Sequence, residues 1–281
     1  MVKQNKSKLT YPYALWCILF IIIPLIIVLF FSFTTKTDNG YSFSLENYQR
    51  LLNPQYVKIM GRSLKLAAIS TGLCLILGYP IAYLIAKMPE KKRNFLIMLF
   101  ILPMWMNFLL RTYAWLPILG KNGIVNNILN SLGFSSISFL YNDGAVLLGM
   151  VYNFIPFMIL PIYTVLTKMN EDLINAASDL GANKYYIFKK ITFPLSLPGV
   201  LSGITMVFMP AVSTFVISNL LGGGQYMLIG NLIETQFTTM SNWNFGSAIS
   251  IIMMIIILLS MLIMNRFSDN DEKEEVSVHG K

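Results

Sequence analysis

The sequence predicts an all-α integral membrane protein with six transmembrane helices, and three observations carry that prediction. Apolar types make up 55% of the 281 residues and charged types only 12%, against about 25% charged in an ordinary soluble domain. The mean hydropathy is +0.61. The apolar residues also gather into six stretches close to the roughly 20 residues that cross a hydrocarbon core about 30 Å thick. So little charge cannot cover a water-facing surface, so much of the surface must face lipid.

The first stretch, Tyr11 to Phe33, is uncharged. Lys3, Lys6 and Lys8 precede it as in a signal peptide. Its apolar core exceeds the 7–15 residues or so of a signal h-region, and no A-x-A-like site follows. It is read as a retained first span. Leu66 to Ala86 and Gly144 to Thr167 are likewise uncharged, and Phe95 to about Leu119 is interrupted only by Arg111. Pro198 to Leu221 and Gly246 to Met264 complete the set. The net charge of +8 sits between these runs, an arrangement that sets membrane topology rather than nucleic-acid contact. With the N-terminus inside, fourteen Lys and Arg fall on the inner side and seven on the outer. Both termini are therefore expected in the cytoplasm. The short segment Lys87–Asn94, with four basic residues, is the strongest part of that argument.

The connecting segments differ in character. Asp38-Asn39-Gly40 and Asn53-Pro54 are turn signals in the first outer loop. Ile124, Ile128 and Leu132 are spaced as on an amphipathic helix lying at the interface. Gly222-Gly223-Gly224 should break the fifth span, and the uncharged run on to Ile233 is a candidate re-entrant segment. The acidic tail Ser268–Lys281 reads as disordered. Domain boundaries follow: 1–62 for the N-terminal tail, first helix and outer loop, 63–265 for a five-helix transmembrane domain, and 266–281 for the tail.

Several chemistries are disfavoured. Cys17 and Cys74 lie in apolar runs and suit packing rather than a disulfide, and His279 is the lone histidine. The sequence has no His/Cys cluster with metal-ligand spacing. A phosphate-binding loop needs Gly-Lys followed by Ser or Thr; here Gly120-Lys121 precedes Asn122 and Gly280-Lys281 ends the sequence. Any nucleotide chemistry must belong to another polypeptide.

The inner loop at about 168–197 is the most informative segment. Asn170 suits an N-cap, and Glu171 and Asp172 complement the dipole of the first turn. Leu173, Ala176, Ala177 and Leu180 share one helical face, and Gly181 can end the helix in a left-handed turn. A second short helix, about Lys184 to Ile191, would stop before Pro194. Two readings are open on pattern alone: an amphipathic connector resting on the bilayer, or a small-residue face that inserts into a partner's groove.

Asn175-Ala176-Ala177, then Asp179, Gly181, Ile191 and Pro194, resembles the EAA motif of type I ABC importer permeases. In that family the segment docks on the ATP-binding subunit. Asn175 departs from the family's Glu, and Phe193 from its Leu. Leu102-Pro103-Met104-Trp105 and Phe108-Leu109-Leu110-Arg111-Thr112-Tyr113-Ala114-Trp115 resemble the third-span signature of B-type spermidine/putrescine permeases. Phe215 to Gly223 and Leu228 to Ile233 are similar to the same family's fifth-span end. Asn219 stands where relatives often carry Asp.

The resemblance implies a type I ABC importer permease fold and a polyamine substrate. The implied complex has a second homologous permease, a pair of ATP-binding subunits holding ATP and magnesium, and an extracytoplasmic polyamine-binding protein. The setting is the bacterial cytoplasmic membrane. This chain itself is expected to be non-catalytic and to hold no cofactor. Trp105, Arg111, Tyr113, Trp115, Phe215, Asn219 and Glu234 are the candidate pathway residues. For Trp105 and Trp115, an interfacial belt competes with a cation–π contact to an ammonium group. For Arg111, snorkelling to the headgroups competes with pairing to a carboxylate or carbonyl at an outer vestibule. Glu234 is the only charge between Lys190 and Arg266 and reads either as an anion near the outer mouth or as a solvated loop carboxylate. Three rival classes stand beside the polyamine reading: a permease for another small organic ion, a six-helix channel or secondary transporter, and a membrane enzyme. Span centres nearly free of acid argue against the second, and the sparse His, Asp and Glu against the third.

Overall fold

The computed structural model describes residues 7–37, 40–224 and 227–278. Helix α1 (Ser7–Cys17) passes through a π turn at Ile18–Ile22 into α2 (Ile23–Ser32). None of the apolar window within this span is buried inside the chain. Strands β1 (Thr34–Thr37) and β2 (Gly40–Phe43) follow as an antiparallel pair with Thr37 opposite Gly40. The Asp38-Asn39 turn signal lies outside the described residues. Then come α3 (Glu46–Leu51), α4 (Pro54–Ala86), α5 (Glu90–Ile101), a 3₁₀ turn at Leu102–Trp105, α6 (Phe108–Tyr113), α7 (Trp115–Leu119) and α8 (Ile124–Ser131). The remainder is α9 (Asp143–Lys168), α10 (Glu171–Asp179), α11 (Lys184–Ile187), a π turn at Phe188–Thr192, α12 (Phe193–Ser213), α13 (Val216–Leu221), α14 (Ile229–Thr238) and α15 (Trp243–Val278).

Among the described residues, five helical stretches are long and apolar enough to cross a membrane, and a sixth span exists if a bent pair is counted as one. The bent pair corrects the expected third span. Glu90–Trp105 and Phe108–Ser131 meet at 98°, so the span does not continue straight to Leu119. Pro103 contributes no N–H, and Asn107 starts a new helix by accepting from Leu109 N at 2.8 Å. The fifth span is also different: it runs from Lys184 to Ser213 rather than from Pro198 to Leu221. Pro194 does not end the short helix before it. The π turn, in which Phe193 N–H reaches back to Phe188 O, carries the helix past the proline. At the far end Thr214 is extended and α13 starts afresh.

Helix α15 runs on through Ser268 to Val278, and residues 279–281 lie outside the described residues. The run Asp271-Glu272-Lys273-Glu274-Glu275 is rich in good helix formers, and a helix already nucleated extends through such residues at little cost.

The chain divides into two compact units, one of Met1–Ile59 with Leu232–Ile256 and one of Met60–Asn231 with Ile257–Lys281. In the first, the Asn244 amide donates to Thr34 O at 2.7 Å and to Phe31 O at 3.2 Å, while Asn47 donates to Thr34 O at 2.9 Å. These bonds tie the hairpin to the start of α15. The Arg50 guanidinium lies over the Phe245 ring, 4.1 Å from its centroid. In the second unit, α12 lies against α9 with Gly199 and Gly203 in the seam. A Cβ at Gly203 would stand 2.7 Å from Met158 Sδ, and one at Gly199 would stand 3.0 Å from Pro161 O. Met158, Ile159, Ile162 and Val207 are fully enclosed around it. Small residues four apart that admit a neighbouring helix are a common way for membrane helices to associate, since lipid supplies no hydrophobic drive between them.

Candidate functional site

The inner loop folds as its sequence dictates. Asn170 caps α10 by accepting from Asp172 N at 2.9 Å. At the other end Gly181 adopts φ +83°, donating to Ser178 O at 2.9 Å while Ala182 N donates to Ala177 O at 3.0 Å. This pair of bonds is a Schellman motif, and it satisfies carbonyls that the helix end would leave open. Asn183 then caps α11 by accepting from Tyr186 N at 2.8 Å.

No residue of α10 is buried. Leu173, Ala176 and Leu180, three of the four residues on the expected apolar face, are exposed, and Leu180 is 89% exposed. Ala177 is half-buried. Tyr185 and Tyr186 of α11 are exposed beside them. Asn175 and Asp179 are exposed as well, Ile191 is half-buried in the π turn, and Pro194 is exposed on the first turn of α12. A Cβ at Gly181 would meet nothing of this chain within 4 Å. Within the chain the glycine is required by its backbone angle.

The second cluster lies at the break after α12. Phe215 is 40% exposed, and Asn219, four residues on and thus on the same side of α13, is also exposed. Asn231, only 4% exposed, holds this face in place. Its amide donates to Asn219 Oδ1 at 2.6 Å and to Phe215 O at 3.0 Å. Its Oδ1 accepts from Leu228 N at 3.1 Å and from Ser218 Oγ. A buried amide must satisfy its donors and acceptors, and Asn231 does so by spanning the break between α13 and α14. Sequence reasoning did not single it out. The available signal was an amide inside an otherwise apolar run.

The remaining pathway candidates are not drawn into one constellation. Trp105 is 80% exposed and stacks on no other ring among the described residues, whereas the Trp115 ring packs edge-on against Tyr152 at 5.3 Å. Tyr113 is exposed. Arg111 is 8% exposed, its Nε is buried without a hydrogen-bond partner, and it makes no ion pair among the described residues. Among the described residues no carboxylate or carbonyl pairs with its guanidinium. The 98° break starts a new helix whose inward side carries Arg111 and Thr112. Beside it, Thr112 accepts from the buried Asn153 amide at 3.4 Å. Glu234 belongs to the other compact unit, is half-buried on α14, and accepts from Thr238 Oγ1 at 3.3 Å.

Comparison with known proteins adds what geometry alone does not. The family model described as "Binding-protein-dependent transport system inner membrane component" matches residues 78–273. The spermidine/putrescine transport system permease protein PotB of Escherichia coli (strain K12) is 40% identical over 258 residues, covering 90% of this chain and 94% of the relative. A homolog of PotB in Mycoplasma genitalium is 28% identical over 249 residues, covering 88% and 84%. Among solved structures, a bacterial ABC transporter that imports the acidic polysaccharide alginate superposes with a TM-score of 0.81 at 17% identity, covering 94% of each chain. The MetNI methionine ABC transporter superposes at 0.56 and 16% identity, covering 80% of this chain and 98% of that one. At such identities the structures establish the fold and nothing more.

Proposed function

The chain belongs to the family of binding-protein-dependent transport system inner membrane components, and from that premise we propose that it is the permease subunit of an ATP-driven polyamine importer. The 40% identity to PotB across nine-tenths of both chains carries the substrate class, spermidine or putrescine. In this reading a second homologous permease completes the pathway, a pair of ATPase subunits binds ATP and magnesium, and a polyamine-binding protein delivers substrate from outside. Both termini lie in the cytoplasm, as the Lys and Arg distribution favours.

The exposed apolar face of α10 supports the coupling role of Asn175, Ala176, Ala177, Asp179 and Gly181. It projects from a loop between spans and buries nothing against its own chain. The exposed face of Phe215 and Asn219 supports a place on the translocation route. There the ring narrows the path and the amide oxygen offers a dipole to a cation.

Each positive charge gains about 2.3 kcal/mol across 100 mV, so a trivalent cation gains about 7 kcal/mol moving inward. Entry is electrically downhill, and the barrier is the cost of charge in hydrocarbon. A lined route removes that barrier, while ATP times and directs its opening. Uptake of labelled spermidine into vesicles holding the assembled complex, its binding protein and internal ATP tests the assignment. Uptake that needs ATP and is blocked by excess putrescine is expected. ATP-dependent uptake of a different organic ion, with none of either polyamine, would replace the substrate assignment.

A further inference from the structure

At the loop end of the spans, a cavity of about 300 Å³ lies between α4, α5, α9 and α10, with Tyr83, Lys87, Arg93, Thr167, Glu171 and Asn175 on its walls. Two cations reach it. The Lys87 ammonium is held over the Tyr83 ring, 4.2 Å from its centroid. Arg93 Nε is buried with no hydrogen-bond partner. Among the described residues neither cation forms an ion pair, although Glu171 lines the same cavity. A buried guanidinium N–H left without an acceptor is costly and therefore uncommon. Next to this cavity, on the same α4–α5 turn, a second one of about 450 Å³ is lined by Met88, Lys91, Lys92, Phe95 and Leu96. Basic and apolar side chains line it together.

We infer that this turn is a binding site for an anionic phospholipid. The phosphate occupies the Lys87–Arg93 cavity and supplies the acceptor that Arg93 Nε lacks, and the acyl chains run along Phe95 and Leu96. A guanidinium and an ammonium converging on one cavity suit a phosphate oxygen cluster. Basic pockets between spans at the membrane surface have the composition that binds anionic headgroups. Because α10 forms one wall, an occupied cavity also braces the loop through Glu171 and Asn175. The inference rests on the proposed membrane embedding of the spans but not on the transported substrate.

Native mass spectrometry of the assembled complex tests it, with the protein taken from nanodiscs of mixed phosphatidylglycerol and phosphatidylcholine. This measurement needs neither ATP nor polyamine, so its failure leaves the transport assignment standing, and the reverse also holds. The wild-type complex is expected to retain phosphatidylglycerol over phosphatidylcholine by about tenfold or more. Arg93→Gln and Lys87→Gln should each lose most of that preference, whereas Arg93→Lys, which keeps the charge, should lose less. Glu171→Gln removes the only acid on the cavity wall named here and should strengthen retention. Unchanged preference in both Arg93→Gln and Lys87→Gln overturns the proposal. So does a wild-type site that binds inorganic phosphate but retains no lipid.

Discussion

Small residues serve opposite ends in two regions of this molecule. In the α9–α12 seam, Gly199 and Gly203 are small because Met158, Ile162 and the Pro161 carbonyl occupy the space a side chain would need. In the α10 loop, Ala176 is exposed and a Cβ at Gly181 would meet nothing within 4 Å. Packing explains the first region completely. For the second, packing within the chain accounts only for the left-handed backbone at Gly181, and the smallness and apolarity of the exposed face remain without an internal cause. That difference separates a surface the chain uses to fold from one it leaves open, which the proposed function assigns to a partner.

Substitutions can break the comparison in order of expected effect. Gly203→Leu should be the most damaging, since Met158 cannot retreat from an enclosed seam. Overpacking and strain there should cost about 3 kcal/mol or more, read as loss of monodisperse protein in detergent. Asn231→Leu leaves the buried Leu228 N–H without its acceptor and the Asn219 amide oxygen without its donor, while the Ser218 hydroxyl keeps only the Phe215 carbonyl. A loss of about 2 kcal/mol is expected, read as a lower unfolding midpoint together with ATP-independent leakage of substrate. A stable, tight Asn231→Leu transporter would mean that the break between α13 and α14 is held by packing alone.

Gly181→Val is expected to cost roughly 1–2 kcal/mol through its φ of +83°, with the spans inserted normally. Gly181→Asn, which tolerates that region, should be close to wild type in thermal unfolding. Equal destabilisation by both would contradict the backbone reading. The smallest effect belongs to Asn175→Ala. Asn175 is exposed and its side chain makes no hydrogen bond among the described residues, so stability should shift by less than about 0.5 kcal/mol.

Much of this was legible from residue order. The apolar runs located the spans because a membrane segment must be long and uncharged, whatever it packs against. Asn170 and Gly181 announced the ends of α10 because capping is local chemistry. Features decided between distant residues were not legible. The 98° break after Trp105 depends on where α6 finds its burial, so an apolar count ran the third span straight through it. The π turn that carries the helix past Pro194 is a hydrogen-bond choice that the proline itself does not reveal. Residue order left snorkelling and pairing both open for Arg111, because its surroundings are set by helices joined far along the sequence. Asn231 needed its four partners in view before its role could be read.

The claim that α10 presents its face to the ATPase is tested most directly at Leu180. The side chain is 89% exposed, so Leu180→Asp removes nothing from the chain's own packing and should leave its unfolding midpoint unchanged. Tagged ATPase should then capture the variant permease about tenfold or more less efficiently than wild type, and substrate should no longer stimulate hydrolysis, as expected when an apolar anchor at an interface is replaced by charge. Full capture with full substrate-stimulated hydrolysis in Leu180→Asp would contradict the coupling assignment.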